Sequence, residues 1–426
     1  MSAVTPAMAP ERAQEIAARF DLRSLPADFH ANPYPVYAAL REREPVRRMP
    51  DGSWFLTRYA DLVQVYRDAH TFSSDKKVEF TPKYGPGSPL LLHHTTSLVF
   101  NDPPLHTRVR KLIMGALTRR AIAGMEPGLV TLVDSLLERI ECAGGGDLID
   151  DFAAAIPVEI IGNLLAVPHA DRAPLRGWSL AILGALEPRL TPEQQDLGNR
   201  SVLEFTAYLK ELVAERRRRP GDPEHDVLTR LIQGEAGGEH LSETELLQNC
   251  VFILNAGHET TTNLIGNALV ALQEWPQPKS ALLAAMQRLA HDRAGLEAAL
   301  DTAVDEFLRF ESSNQLGNRR ALRACEVGGV RLEAGALVTL CIGAANRDPA
   351  QFAEPDRLDP ARADNRHLAF GFGVHQCAGL SLARLEGRIA IGRFLRRFPG
   401  YRLTQAPVRG GRARFRGFLH APFALE

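Results

Sequence analysis

Only five cysteines occur in 426 residues: Cys142, Cys250, Cys325, Cys341 and Cys377. They are odd in number and scattered, and no two stand as C-x-x-C, which argues against a disulfide framework or a cysteine-only zinc site. Nor does charge of one sign accumulate, since 50 Lys and Arg are interspersed with 51 Asp and Glu. That balance argues against a nucleic-acid or anionic-membrane binder. The densest basic run, "ERRRRPGD" at 215–222, reads as a solvated helix C-terminus whose arginines complement the dipole. No apolar run is clean enough for a membrane span: the most apolar long stretch, 246–275, carries His258 and Glu259 at its middle and reads as a buried helix. Arg, Glu and Asp interrupt every apolar run of the first thirty residues. No signal peptide or anchor is therefore expected, and the protein is expected in the cytoplasm.

Internal repeats and low-complexity tracts are also missing, and no composition shift marks a linker, while the 45% apolar content can build a large core. Pieces such as "SWFLTRYADL" in the N-terminal fifth predict hairpin strands followed by a helix. From about 103 to 310 apolar residues recur at three- and four-residue spacing, broken at Pro and Gly clusters, and predict helices. Strand-like runs return at 320–345 around Gly-Gly and Ala-Gly turns. The polar stretch "NRDPAQFAEPDRLDPARADNRH" that follows has little periodicity. The fold expected is mainly α with a minor, split β part.

"HLAFGFGVHQCAGLSLARLEGR" (367–388) sets one cysteine in glycine just before a helical pattern of Leu382, Leu385, Ile389 and Phe394. Free N–H groups and the positive end of a helix dipole there favour a thiolate. Gly371, Gly373 and Gly379 let the backbone turn tightly or pass close to a flat partner. A single thiolate among N–H donors suits the axial ligand of a haem iron. The stretch "FGFGVHQCAG" (370–379) resembles the F-G-x-G-x-H-x-C-x-G signature of the cytochrome P450 family at every fixed position, Phe370 and Gly371 included. By that resemblance Cys377 is the iron ligand, the cofactor is haem b (iron protoporphyrin IX), and the fold has a long central helix over the haem with small split sheets.

Three other regions carry the same resemblance. "AGHETT" (256–261) resembles the oxygen-activation signature. It lies in a helix expected to open with the Ser242/Glu245 capping box and to stop at Pro276. Ala256 and Gly257 are small enough for that helix to pass close to a haem face, and the resemblance implies that Glu259 and Thr260 deliver protons to dioxygen. "NDPPLHTRVRKLI" (101–113) places His106 and Arg110 on one helix face; together with His375 and Arg319 they match positions that bind the haem propionates, and Arg320, adjoining Arg319, is the alternative. In "DEFLRF" (305–310) Glu306 and Arg309 match an E-x-x-R pair that locks to a later arginine, for which Arg357 is the matching residue.

The resemblance implies a single haem domain over 1–426 without a fused reductase. This monooxygenase would insert one oxygen atom from O2 into a C–H bond of a hydrophobic small molecule. No G-x-G-x-x-G follows a strand, so electrons are expected from a separate ferredoxin or flavodoxin with its NAD(P)H-dependent reductase. Lys111, Arg119, Arg120, Arg384 and Arg388 lie near the expected proximal face, either steering an acidic partner or forming a solvated charged face. A peroxide-driven peroxygenase, which usually has no acid–Thr pair, and a non-catalytic haem sensor are the competing readings. The segment 73–100 reads as a mobile access lid, and its Lys76, Lys77 and Lys83 either face water or meet the carboxylate of a fatty or aromatic acid. Substrate identity, size and regioselectivity are not legible.

Overall fold

A computed structural model describes residues 8–223, 226–234 and 240–426. The expected hairpin is present: β1 (Val46–Arg48) pairs antiparallel with β2 (Trp54–Leu56), and α1 (Tyr59–Arg67) follows. Downstream come β3 (Phe72–Ser73), α2 (Lys77–Tyr84) and α3 (Pro89–Thr96). The segment expected as a lid is therefore largely helical, and Ser88 caps α3 by accepting from the Leu91 N–H. The helical stretch continues through α4 (Leu105–Ala116), α5 (Arg119–Ala143), α6 (Ala155–Leu164), α7 (Leu175–Gly184) and α8 (Pro192–Arg218).

The organising element is α9 (Glu243–Glu274), 32 residues long, or about 48 Å at 1.5 Å per residue. Its start follows from chemistry legible in the chain. Ser242 Oγ accepts from the Glu245 N–H while the Glu245 carboxylate accepts from the Ser242 N–H, a closed capping box. Trp275 and Pro276 end it, since Pro276 has no N–H to continue the ladder and starts the next helix. Leu246, Val251 and Leu254 are buried in its first half, and from Thr261 to Leu272 every residue is buried, so the helix is enclosed all round there and forms the axle of the main core.

Helix α10 (Arg293–Phe310) leads to β4 (Leu316–Ala321), the hairpin β5 (Cys325–Val327) and β6 (Val330–Leu332), and β7 (Leu337–Cys341). Gly328 and Gly329 turn that hairpin with φ of +58° and +81°, the left-handed pair a two-residue turn requires. The main sheet has the order β1-β2-β7-β4-β3, with β2 and β7 parallel and the other pairs antiparallel. An N-terminal hairpin thus shares a sheet with strands some 280 residues later. After the irregular segment, α11 (Leu380–Arg397) packs against α9, α10 and α5. No helix among the described residues is long and apolar enough to cross a membrane.

Glu306 and Arg309 are both fully buried on α10, joined by a two-pronged pair of 2.7 and 2.8 Å. The arginine that closes this lock is Arg362, whose Nε donates to Glu306 Oε2 at 3.1 Å, and not Arg357 as expected. The Arg357 side chain is exposed and pairs with Glu354; only its carbonyl takes part, accepting from Arg309. The irregular chain turns so that Arg362 is the one aimed inward.

Candidate active site

The cysteine loop is a tight turn held by its own backbone. Cys377 N donates to Phe370 O at 2.8 Å, and Gly371 N donates to Leu368 O at 2.8 Å. Gly373 has φ +73°, and a Cβ there would sit 2.4 Å from the Tyr66 carbonyl oxygen, so the loop can lie on α1 only with glycine at this position. Gly379 precedes the first residue of α11, which puts Cys377 just ahead of the helix N-terminus, as the sequence predicts. Burial nevertheless pushes the Cys377 thiol upward; the Gly379 N–H, Arg110 and Arg384 pull the other way without prevailing. The helix terminus alone therefore does not supply a thiolate, whereas coordination to a metal would remove the proton outright.

Cys377 lies at the floor of a cavity of about 500 Å³ that also reaches His106, Arg110, Arg319 and His375. These four come from α4, β4 and the cysteine loop. His106 and His375 rings are 4.1 Å apart, and neither His106 nitrogen, nor His375 Nε2, has a hydrogen-bond partner. Burial, reinforced for His106 by Arg110 and for His375 by Arg319, lowers both imidazoles, His106 to about 4. Four donors on one rim without a facing carboxylate make a cradle for an anion with several acceptors. Between Arg319 and Arg320 the fold decides plainly. Arg319 is buried and borders the cavity, while Arg320 pairs with Glu79 at 2.9 Å and donates to Gly335 O. A half-buried thiol beneath an apolar slot, with orphaned donors on one rim, fits an iron porphyrin carrying two propionates.

Over the floor, α9 presents Ala256 and Thr260 to the cavity, and Phe370, Gly371 and Gly257 border it. Gly257 has a reason the sequence did not show: a Cβ there would come within 2.5 Å of Ile161 Cδ1, so its smallness serves the packing of α6 on α9. Thr260 Oγ1 donates to the Ala256 carbonyl at 2.8 Å, and Ser313 Oγ donates to the Thr260 carbonyl at 2.8 Å.

Glu259 points elsewhere. Its carboxylate accepts from Arg412 Nη1 at 2.5 Å and borders a separate chamber of about 30 Å³ with His258 and Asn263. Both His258 ring nitrogens, Glu259 Oε2 and Asn263 Nδ2 are unpartnered there, and the chamber is large enough for an ordered water. Burial raises the Glu259 carboxyl against the opposing pull of Arg412. The acid and the alcohol expected to work together are thus about 100° apart around one helix and open into different cavities.

Several lining groups were not anticipated. Of the two readings open for the lysines, water is ruled out for Lys76, which is 3% exposed, while Lys83 is half-buried and its Nζ donates to Glu187 O at 2.7 Å. Lys77 alone is exposed, paired with Asp75. His93, His94 and Asn255 add a polar patch to the roof, and Glu386 reaches the cavity from α11. Ser313 and Asn314 also line it. No periodicity marks the buried lysines; only their place in a segment spanning two helices over the cavity does. On the proximal side Lys111, Arg119 and Arg120 are exposed. Arg384 is committed to Asp305 at 2.7 Å and Arg388 to Asp301 and Glu126.

Comparison with known proteins agrees with this geometry. The family model described as Cytochrome P450 matches residues 186–402. Cytochrome P450 107B1 of Saccharopolyspora erythraea is 36% identical over 391 residues, covering 87% of this chain and 89% of its own. The vitamin D(3) 25-hydroxylase of Pseudonocardia autotrophica is 37% identical, with 86% of each chain covered. Among solved structures, P450BioI in complex with hexadec-9Z-enoic acid-ligated acyl carrier protein superposes with a TM-score of 0.85 at 31% identity, covering 94% of this chain and all of that one. With the cysteine loop, the long helix and the fold all in agreement, the chain belongs to the cytochrome P450 family.

Proposed function

We propose that this haem-thiolate monooxygenase works in the cavity between α9 and the cysteine loop, where Cys377 would hold the iron of haem b. One observation carries the reading: the half-buried Cys377 thiol and the orphaned donors of His106 and His375, with Arg110 and Arg319, open into one cavity roofed by Ala256 and Thr260. When bound, the iron porphyrin supplies the dioxygen chemistry, one oxygen atom going into a substrate C–H bond. The chain's own residues do the rest. His106, Arg110, Arg319 and His375 hold the propionates and fix the orientation of the ring. The Gly379 N–H donates to the sulfur and tempers its charge. Thr260 exchanges its bond to the Ala256 carbonyl for one to a distal water, which positions a proton above the floor. Glu259 loads a proton from its side chamber at Oε2 and rotates away from Arg412 to pass it on. Apolar walls exclude bulk water and receive a hydrophobic substrate.

Electrons come from a separate ferredoxin or flavodoxin with its NAD(P)H-dependent reductase, met at the face carrying Lys111, Arg119 and Arg120. We assign the chain to a single haem domain in the cytoplasm. The relatives' names, among them a vitamin D(3) 25-hydroxylase and a 6-deoxyerythronolide B hydroxylase, support a bulky apolar substrate. The test is a Soret titration of the ferric holoprotein with fatty acids, substituted benzoic acids, terpenoids, steroids and a macrolide. A low- to high-spin shift with one class, followed by an oxygenated product with a surrogate redox chain, supports the reading. Spin shift without any product turns it toward a non-catalytic haem protein. Cys377→Ser should abolish the thiolate-type ferrous–CO band, and a normal band in that variant would refute the ligand assignment.

A further inference from the structure

On the side of the cavity formed by α2 and β4, cations outnumber the carboxylates that answer them. Lys76, immediately before α2, borders the cavity, is 3% exposed, and its Nζ has no hydrogen-bond partner among the described residues. Arg319, Arg320 and Arg414 repel its charge and Glu79 attracts it. Glu79 is paired through Oε1 with Arg320, and its Oε2 has no hydrogen-bond partner among the described residues. Asp102, the acid that acts on Arg319, accepts from Ser73 Oγ and from Ser74 N at 2.8 Å. Arg414 gives Nη1 to the Leu316 carbonyl and Nη2 to Asn318, and its Nε is unpartnered.

An ammonium buried beside guanidiniums that has to share the one Glu79 carboxylate with Arg320 is under-compensated, and burial accordingly holds Lys76 down to about 7. An anion entering the cavity would relieve both the desolvation and the mutual repulsion. The adjoining wall is apolar and aromatic: Phe80 lies 5.2 Å from Phe100 and 5.3 Å from Tyr84, centroid to centroid.

We propose that Lys76 is the seat of a carboxylate bound inside this cavity, with Arg414 on the same side. The inference rests on the monooxygenase reading above. Two sources have the required chemistry, the acid group of an apolar substrate and a propionate of the cofactor, and one set of measurements separates them. Holoprotein of the wild type, Lys76→Gln, Lys76→Arg and Glu79→Gln is titrated with dodecanoic acid and 4-phenylbutyric acid, each against its methyl ester, by the Soret spin shift. Haem transfer to excess apomyoglobin is timed on the same samples.

A substrate source predicts that an acid binds roughly tenfold or more tightly than its ester. Lys76→Gln then erases that preference, Lys76→Arg retains much of it, and haem transfer is unchanged. A cofactor source predicts instead that Lys76→Gln speeds haem transfer by roughly tenfold while Lys76→Arg does not. The proposal is overturned if neither acid preference nor haem transfer responds to Lys76→Gln. It is equally overturned if Glu79→Gln reproduces the response in full, since Lys76 would then only be answering Glu79. Should Lys76→Gln not fold, Lys76→Met takes its place under the same criteria. The ferrous–CO band of each sample reports separately on the haem-thiolate reading.

Discussion

At the scale of single residues, Thr260 and Glu259, the two residues proposed to deliver protons, lie on two different faces of a helix. Thr260 reaches the main cavity and Glu259 the side chamber, so their substitutions should fail differently. Thr260→Ala should leave substrate-induced spin shifts intact while diverting most reducing equivalents to hydrogen peroxide, measured as product formed per NAD(P)H consumed. Unchanged coupling would remove Thr260 from proton delivery. Arg412 is the group that holds the Glu259 carboxyl down against its burial. Replacing it by Met lets that carboxyl rise further and keep its proton to higher pH, so the alkaline limb of the coupling profile should move upward. A profile that stays in place would show that Glu259 does not supply the proton.

Elements decide which of two similar residues matters. Arg357 fits the motif by position, yet the chain between α10 and the cysteine loop carries Arg362 to the Glu306 carboxylate and leaves Arg357 in solvent. Removing one partner from a buried ion network costs about 3–5 kcal/mol, whereas an exposed pair contributes about 0–1 kcal/mol. Arg362→Leu should therefore lower the thermal midpoint strongly and impair haem retention, while Arg357→Ala should change neither. The opposite order in a thermal-melt comparison would restore the motif-based assignment. The same logic separated Arg319 from Arg320. Neighbours on a strand point to opposite faces, so only one can enter the cavity.

Across the whole molecule, one buried carboxyl ties folding to pH. Glu386, on α11 and 2% exposed, has an unpartnered Oε2, and burial alone pushes its carboxyl from 4.5 up to about 8. The folded protein keeps that proton up to about pH 8, while the unfolded chain releases it near 4.5. Below about 4.5 this group exacts no penalty; stability is lost progressively as pH rises from about 4.5 to 8. Glu386→Gln should flatten the thermal midpoint between about pH 5 and 9 and raise it most at the alkaline end. A wild type whose midpoint does not fall over that range would contradict the burial argument.

Local chemistry was enough for much of this protein. The capping box at Ser242, the stop at Pro276, the glycines of the cysteine loop and the helical period after Cys377 each act over a few residues, so they can be read from neighbours in the chain. The family signature rests on the same short-range constraints. What neighbours do not encode is where side chains separated by tens or hundreds of residues converge. The pairing of Glu259 with Arg412, the turn of Arg362 inward, the contact that requires Gly257 and the burial of Lys76 all depend on the packing of distant segments. Burial also reversed one local inference, since the helix N-terminus favours the Cys377 thiolate but desolvation outweighs it. The sequence by itself determined the reaction class and singled out Cys377 as the candidate iron ligand, because both need a contiguous loop of particular residue types. Only the tertiary structure decided which charges face the cavity, because charge in a protein interior is set by what folds over it.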